Sequence, residues 1–143
     1  MPVMPFESDG QRTAYERLRP LLEAEFGPVR ERIHAIGYVF ELDGTTVTAT
    51  LAPWDKDCVV ANRVYLAGDV PMSEELLRQL FRWTEAERFG AFGVDDANNV
   101  YVEGQLVAST ATSDTLARSM RRTHALAMGR KDEVRTRFGG GDL

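Results

Sequence analysis

Few residues of this chain have the types and spacing that catalysis or metal binding requires. The 143 residues include two histidines and one cysteine. His34 and His124 belong to different predicted elements, and neither has the His/Glu or Cys/His spacing of a metal site. Cys58 directly follows Asp57, whose negative charge disfavours the thiolate that a reactive cysteine needs. We therefore expect no catalytic residue, no metal and no cofactor, and a buried, inert thiol at Cys58.

Two further motifs invite a functional interpretation, and local structure explains each of them. The acidic segment Asp95–Asn99 lacks the alternate ligand spacing, central glycine and distal glutamate of a calcium loop, so it predicts a hairpin turn. The segment Gly90–Gly93 lacks the following helix and the Lys-Ser/Thr pair of a phosphate-binding loop. The motifs thus predict a protein that is not an enzyme.

Composition and charge restrict the class of protein further. The chain carries a formal net charge of −5, with 43% hydrophobic and 27% charged residues, which is typical of one globular domain. Neither a signal peptide nor a membrane-spanning stretch is evident, so we expect a cytoplasmic protein with no membrane and no nucleic-acid partner. Residues 116–138 nevertheless hold seven basic and two acidic residues. We interpret them as a face that complements the acidic remainder, with an anion-binding or acidic-partner surface as the alternative.

Hydrophobic periodicity predicts an α+β fold with a twisted antiparallel five-stranded sheet. The element order is α-β-β-β-α-β-β-α, and short turns make the first three strands a meander. The predicted strands are Ile33–Leu42, Thr46–Leu51, Cys58–Leu66, Ala91–Val94 and Val100–Ala108, and the helix caps are Ser8 or Asp9, Ser73, and Thr112 or Ser113.

Three glycine and proline features qualify this outline. Pro20 should kink the first helix or split it near Arg19, because proline lacks a backbone donor. Gly104 indicates a bulge or a close helix contact within the last strand. Prolines near the start and the glycines after Phe138 predict a flexible arm over residues 1–7, a single domain over residues 8–138 and a flexible tail over residues 139–143.

Aromatic residues suggest an interaction surface. In the second helix Leu76, Leu80 and Thr84 form an apolar stripe, Phe81 widens it, and Trp83 falls beside it. A helix that is apolar over so much of its circumference is either deeply buried or covered by a partner. Trp54 occupies a predicted hairpin tip, where an indole is unusual. Together these residues indicate self-association or peptide binding.

Around the second helix and the following hairpin the chain resembles a known superfamily. A helix ends in a Phe-Gly turn at Phe89-Gly90 and leads through Val94-Asp95-Asp96 into Val100–Leu106. The long last helix ends at Phe138-Gly139-Gly140. This pattern, over about residues 10–140, resembles type III secretion chaperones and their relatives, the YbjN domains.

The resemblance implies a non-enzymatic peptide- or protein-binding module that forms a homodimer. An exposed sheet edge would hold an extended segment of an unidentified partner. Protomers would pair through the helix around residues 80–83 and the strand after Phe89. The candidate interface residues are Leu80, Phe81, Trp83, Phe89, Phe92 and Trp54. The alternative is a small-ligand sensor or regulatory subunit in which the sheet forms a cavity wall.

Overall fold

The computed structural model describes residues 4–143 and confirms the α+β fold class. The helices are α1 (Asp9–Phe26), α2 (Glu74–Ala86) and α3 (Ser113–Phe138), and the strands are β1 (Arg30–Glu31), β2 (Gly37–Leu42), β3 (Thr45–Trp54), β4 (Asp57–Ala67), β5 (Ala91–Val94) and β6 (Val100–Val107). The five predicted strands are all present. The sixth, β1, was missed because two residues are too few to show an alternating pattern.

The six strands form one antiparallel sheet in the order β1-β2-β3-β4-β6-β5. The predicted meander of β2, β3 and β4 is confirmed. After α2 the chain forms β5 at the far edge and then turns back, so that β6 lies between β5 and β4. The sheet therefore has β1 at one edge and β5 at the other.

Helices α1 and α3 pack on the sheet, and α2 packs against β5. Ser8 caps α1 by accepting a hydrogen bond from the backbone N–H of Gln11. The helix runs unbroken through Pro20, so the predicted split is wrong. Leu18 and Leu22, on either side of the proline, are both buried in the core, and this packing outweighs the loss of one backbone donor.

Gly104 allows β6 to approach α3 closely. A Cβ atom at this position would lie 2.7 Å from the Thr123 side-chain oxygen and 3.2 Å from that of Asn62. Both polar side chains are buried, and Thr123 donates a hydrogen bond to Asn62 while Asn62 donates one to Ser119. Pairing of β6 with β4 is regular here. The close helix contact, not a bulge, therefore accounts for the glycine.

Both ends of the described chain make contacts with the domain. Phe6 packs edge-on against Tyr15, with 5.4 Å between ring centroids. Gly141 exchanges two backbone hydrogen bonds of 2.8 and 3.0 Å with Gly68. The flexibility of residues 1–7 and 139–143 stays a prediction, and residues 1–3 of the arm lie outside the described residues. Within residues 4–143, no helix has the length and apolarity to cross a bilayer.

Candidate protein-binding surface

Half of the candidate interface residues are buried within the protomer. Leu80, Trp83 and Phe92 belong to the core, and only 6% of Trp83 is exposed. The Trp83 ring lies 5.3 Å from that of Phe92, and the Arg130 guanidinium lies 4.7 Å from the centroid of the Trp83 ring. These side chains pack α2 against β5 and α3, so they belong to the core and do not form an exposed interface.

The buried stripe of α2 differs from the predicted one. It comprises Leu76, Leu80 and Trp83, so placing Trp83 beside the stripe was wrong. The spacing of four and then three residues puts Trp83 over Leu76 and Leu80 on the same helical face. Phe81 instead points outward with Leu77, its neighbour one turn earlier.

The other three candidates are exposed. Phe81, Phe89 and Trp54 are 71%, 75% and 56% exposed. Phe89 lies between α2 and β5, whereas Trp54 lies at the tip of the β3–β4 hairpin. Among the described contacts, none joins Trp54 to either phenylalanine. Phe81 on α2 and Phe89 in the connection from α2 to β5 thus belong to adjoining segments of the chain, whereas Trp54 belongs to a different hairpin.

At the β5 edge of the sheet, β5 covers only part of its neighbour β6. The four residues of β5 pair with Val100–Glu103, the first half of β6. The remaining residues of β6, Gly104–Val107, pair with β4 on one side. On the other side, no strand within residues 4–143 covers them, so this half of β6 offers unpaired backbone donors and acceptors.

A groove of about 940 Å³ lies beside this open half of β6. Residues 103–106 of β6 line it, and so does the segment 87–91, which leads from α2 into β5. The wall formed by α3 consists of Thr115, Arg118, Ser119 and Arg122, which recur every three or four residues on one helical face. Sequence analysis did not find this groove. The sequence feature that could have revealed it is the difference in length between the two predicted strands of this hairpin. Ala91–Val94 has four residues, whereas Val100–Ala108 has nine.

The groove carries an excess of positive charge. Its two glutamates are already paired, Glu87 with Arg122 at 2.8 Å and Glu103 with Arg63 at 2.8 Å. Arg88 is exposed and makes no ion pair or hydrogen bond in the part of the chain that the structure describes.

Elsewhere the basic residues of α3 pair with acidic residues of other segments. Arg121 contacts Glu25 at 3.3 Å, and Arg137 contacts Glu75 at 3.1 Å. These pairs agree with the interpretation of this helix as a face that complements the acidic remainder. The arginines that line the groove are a distinct group at the opposite end of the helix from Arg137.

Cys58 and Asp95, which lie in segments first considered for catalysis or metal binding, belong to the core and to a turn. Cys58 is fully buried as predicted, and burial, reinforced by the charge of Asp57, raises the pKa of its thiol to about 11. Asp95 accepts hydrogen bonds from the backbone N–H groups of Ala97 and Asn99, so its carboxylate closes the β5–β6 turn. Although burial alone would raise the pKa of Asp95, these hydrogen bonds outweigh it and lower the pKa. Within residues 4–143, no group of three or more His, Cys, Asp or Glu residues is placed to hold a metal ion.

The fold has close counterparts among solved structures. A chain of the HopA1–SchA chaperone–effector complex superimposes with a TM-score of 0.63 at 15% identity, covering 90% of this chain and 99% of that one. A chain of the ExsC–ExsE complex gives a TM-score of 0.61 at 16% identity, covering 87% and 95%. This protein has the type III secretion chaperone fold.

A third structure gives the same result. A chain from the Yersinia pestis type III secretion chaperone SycH in complex with a stable fragment of YscM2 superimposes with a TM-score of 0.57 at 15% identity, covering 80% of this chain and 98% of that one. No protein-family model and no curated protein matches the sequence significantly. The YbjN part of the resemblance stays a prediction.

Proposed function

We propose that this protein is a non-enzymatic module that binds an extended segment of a partner protein. The observation that carries the proposal is the open half of β6, which lies along a groove large enough for several side chains. The three structures with the same fold support it, since each contains a complex of two proteins.

Binding would use the backbone and the side chains of the segment separately. A segment aligned with β5 would continue that strand and form hydrogen bonds with Gly104–Val107. Since side chains alternate along a strand, every second residue of the segment would enter the groove towards α3. Leu106 and Phe89 offer apolar surface to these side chains.

The proposal includes a homodimer that uses the neighbouring surface. The outward face of α2 presents Leu77 and Phe81, and α2 contacts β5, the edge strand of the sheet. Burying large apolar side chains is the main source of free energy in such interfaces. The open half of β6 is a separate part of the same edge, so both contacts can form together.

The small-ligand alternative receives less support from the shape of the site. A sensor of small molecules needs an enclosed cavity with converging polar groups. The groove instead lies along the sheet edge, and one of its lining residues, Phe89, is largely exposed. An open groove beside a sheet edge suits a polypeptide segment better.

A peptide-display selection tests the binding function. Random twelve-residue peptides would be selected on the wild-type protein, and the enriched peptides measured by fluorescence anisotropy. We expect Leu106→Asn to weaken their binding about tenfold, because it replaces apolar groove surface with an amide. The control is Leu21→Asn, which changes another partly buried leucine packed against the core, on α1 and away from the groove.

Binding should also protect from hydrogen exchange those amide protons of residues 104–107 that point away from β4. The proposal fails if the wild-type protein enriches no peptide, or if Leu106→Asn binds the enriched peptides as tightly as Leu21→Asn does.

A further inference from the structure

The charge of the groove indicates what kind of segment it binds. We propose that the segment held along β6 carries an acidic side chain, which pairs with Arg88 and Arg118, next to an apolar side chain that covers Leu106 and Phe89. This inference rests on the proposed function, because it specifies the partner of the same groove.

Arg88 provides the first half of the site. It lies in the short connection between α2 and β5, beside Phe89, and lines the groove. Its guanidinium is exposed and has no acidic partner in the described chain. Because a guanidinium can donate two parallel hydrogen bonds to one carboxylate, Arg88 is suited to bind an acidic side chain that enters the groove.

Arg118 provides the second half from the wall that α3 forms. Its ion pair is with Asp114, one turn earlier on α3, and the two side chains are 80% and 70% exposed. Exposed pairs of this spacing contribute little free energy. Arg118 can therefore exchange Asp114 for a carboxylate of the partner at little cost.

The remaining charges of the groove do not offset these two arginines. Glu87 and Glu103 are neutralised by Arg122 and Arg63. The whole chain has a net charge of −5, so a positive groove is a local departure from the overall charge. A positive patch attracts acidic segments and repels basic ones, which gives the site selectivity.

A charge-reversal experiment tests the requirement for an acidic residue. The random twelve-residue display would be repeated on Arg88→Glu/Arg118→Glu and on the control Arg12→Glu/Arg30→Glu. The control changes net charge equally at exposed arginines outside the groove and outside α2, on α1 and β1. Circular dichroism and thermal unfolding would check that both variants fold.

We expect the wild-type and control proteins to enrich peptides with Asp or Glu near an apolar residue. The groove variant should bind those peptides about tenfold more weakly and enrich Lys or Arg instead. The difference should shrink at high salt, since salt screens exposed charges.

Three results would contradict the inference. If peptides are enriched without acidic residues, or acidic peptides bind the groove variant as they bind the control, only the acidic requirement fails. If no protein enriches a peptide, the peptide-binding function fails with it. If the groove variant changes the sedimentation coefficient and no peptide binds, the groove is covered by a second copy of this chain, and the inference is wrong.

Discussion

At one edge of the sheet, β1 consists of the two charged residues Arg30 and Glu31, which pair with β2. At the other edge, β5 covers half of β6 and leaves Gly104–Val107 open beside a groove. Very short, charged edge strands are a common protection against pairing with another chain. The protein thus protects one edge and leaves part of the other open, which supports our proposal that a partner segment binds at the β5–β6 edge.

The largest effect should follow from removing the side chain that holds this edge in place. Trp83→Ala should lower the free energy of unfolding by about 4 kcal/mol, because it leaves a cavity between α2, β5 and α3. Phe81→Ala, two residues earlier, should change it by about 0.5 kcal/mol or less, because Phe81 is exposed. Urea unfolding monitored by circular dichroism measures both. Similar losses in the two variants would contradict the assigned orientation of α2.

The next effect concerns the close approach of β6 to α3. Gly104→Val should destabilise the protein by about 3 kcal/mol, since its side chain would displace Thr123 and Asn62. The control is Gly129→Ala on α3, where an added Cβ atom would have no neighbouring atom within 4 Å. It should instead stabilise the protein by about 1 kcal/mol through helix propensity. Equal unfolding midpoints for the two variants would show that β6 and α3 are not in close contact.

A smaller effect, on self-association, should distinguish the proposed dimer surface on α2 from other exposed apolar residues. Phe81→Glu should weaken self-association about tenfold, because it puts a charge on the outward face of α2. Ile33→Glu changes an isoleucine that is also largely exposed, before β2, and should leave self-association unchanged. Sedimentation velocity over a range of concentrations measures both. A wild-type protein that stays monomeric throughout this range would rule out the dimer.

The smallest effect should come from the turn that supports β5. The lowered pKa of Asp95 means that its carboxylate stabilises the fold above the ordinary pKa of 3.8, and that this stabilisation disappears as pH falls through the folded-state pKa. Asp95→Asn should therefore be less stable than wild type at pH 7, and the difference should shrink below about pH 4. Urea unfolding at pH 7, 5 and 3 measures this trend. A difference that is constant with pH would contradict the role of the carboxylate.

Local features of the sequence predicted much of this fold. The caps Ser8 and Ser73 and the tight hairpin turns act over a few residues, so their patterns are readable without a structure. The split predicted at Pro20 is wrong, because Leu18 and Leu22 on either side of the proline are both buried in the core. The two residues of β1 depend on their pairing with β2.

The candidate site was less predictable because it depends on how distant elements meet. The spacing of Leu76, Leu80 and Trp83 was sufficient to place all three on one face, but the docking of α2 on β5 decides which face is buried. That Arg88 has no ion pair within residues 4–143 becomes evident only once Glu87 is seen to pair with Arg122, which lies 35 residues further along the sequence. Ion pairs between distant elements produce no periodic pattern in the sequence from which they could be predicted.

Hydrogen bonds are formed at the start of helix α3 and just beyond its end. Thr112 and Thr115 form reciprocal hydrogen bonds at its start, and beyond its end Gly141 is joined to Gly68. This wall of the groove is therefore already formed as a helix before anything binds. The loss of conformational entropy on association would fall almost wholly on the incoming segment, so a segment that is already extended in its free state should bind more tightly than a flexible one of the same composition.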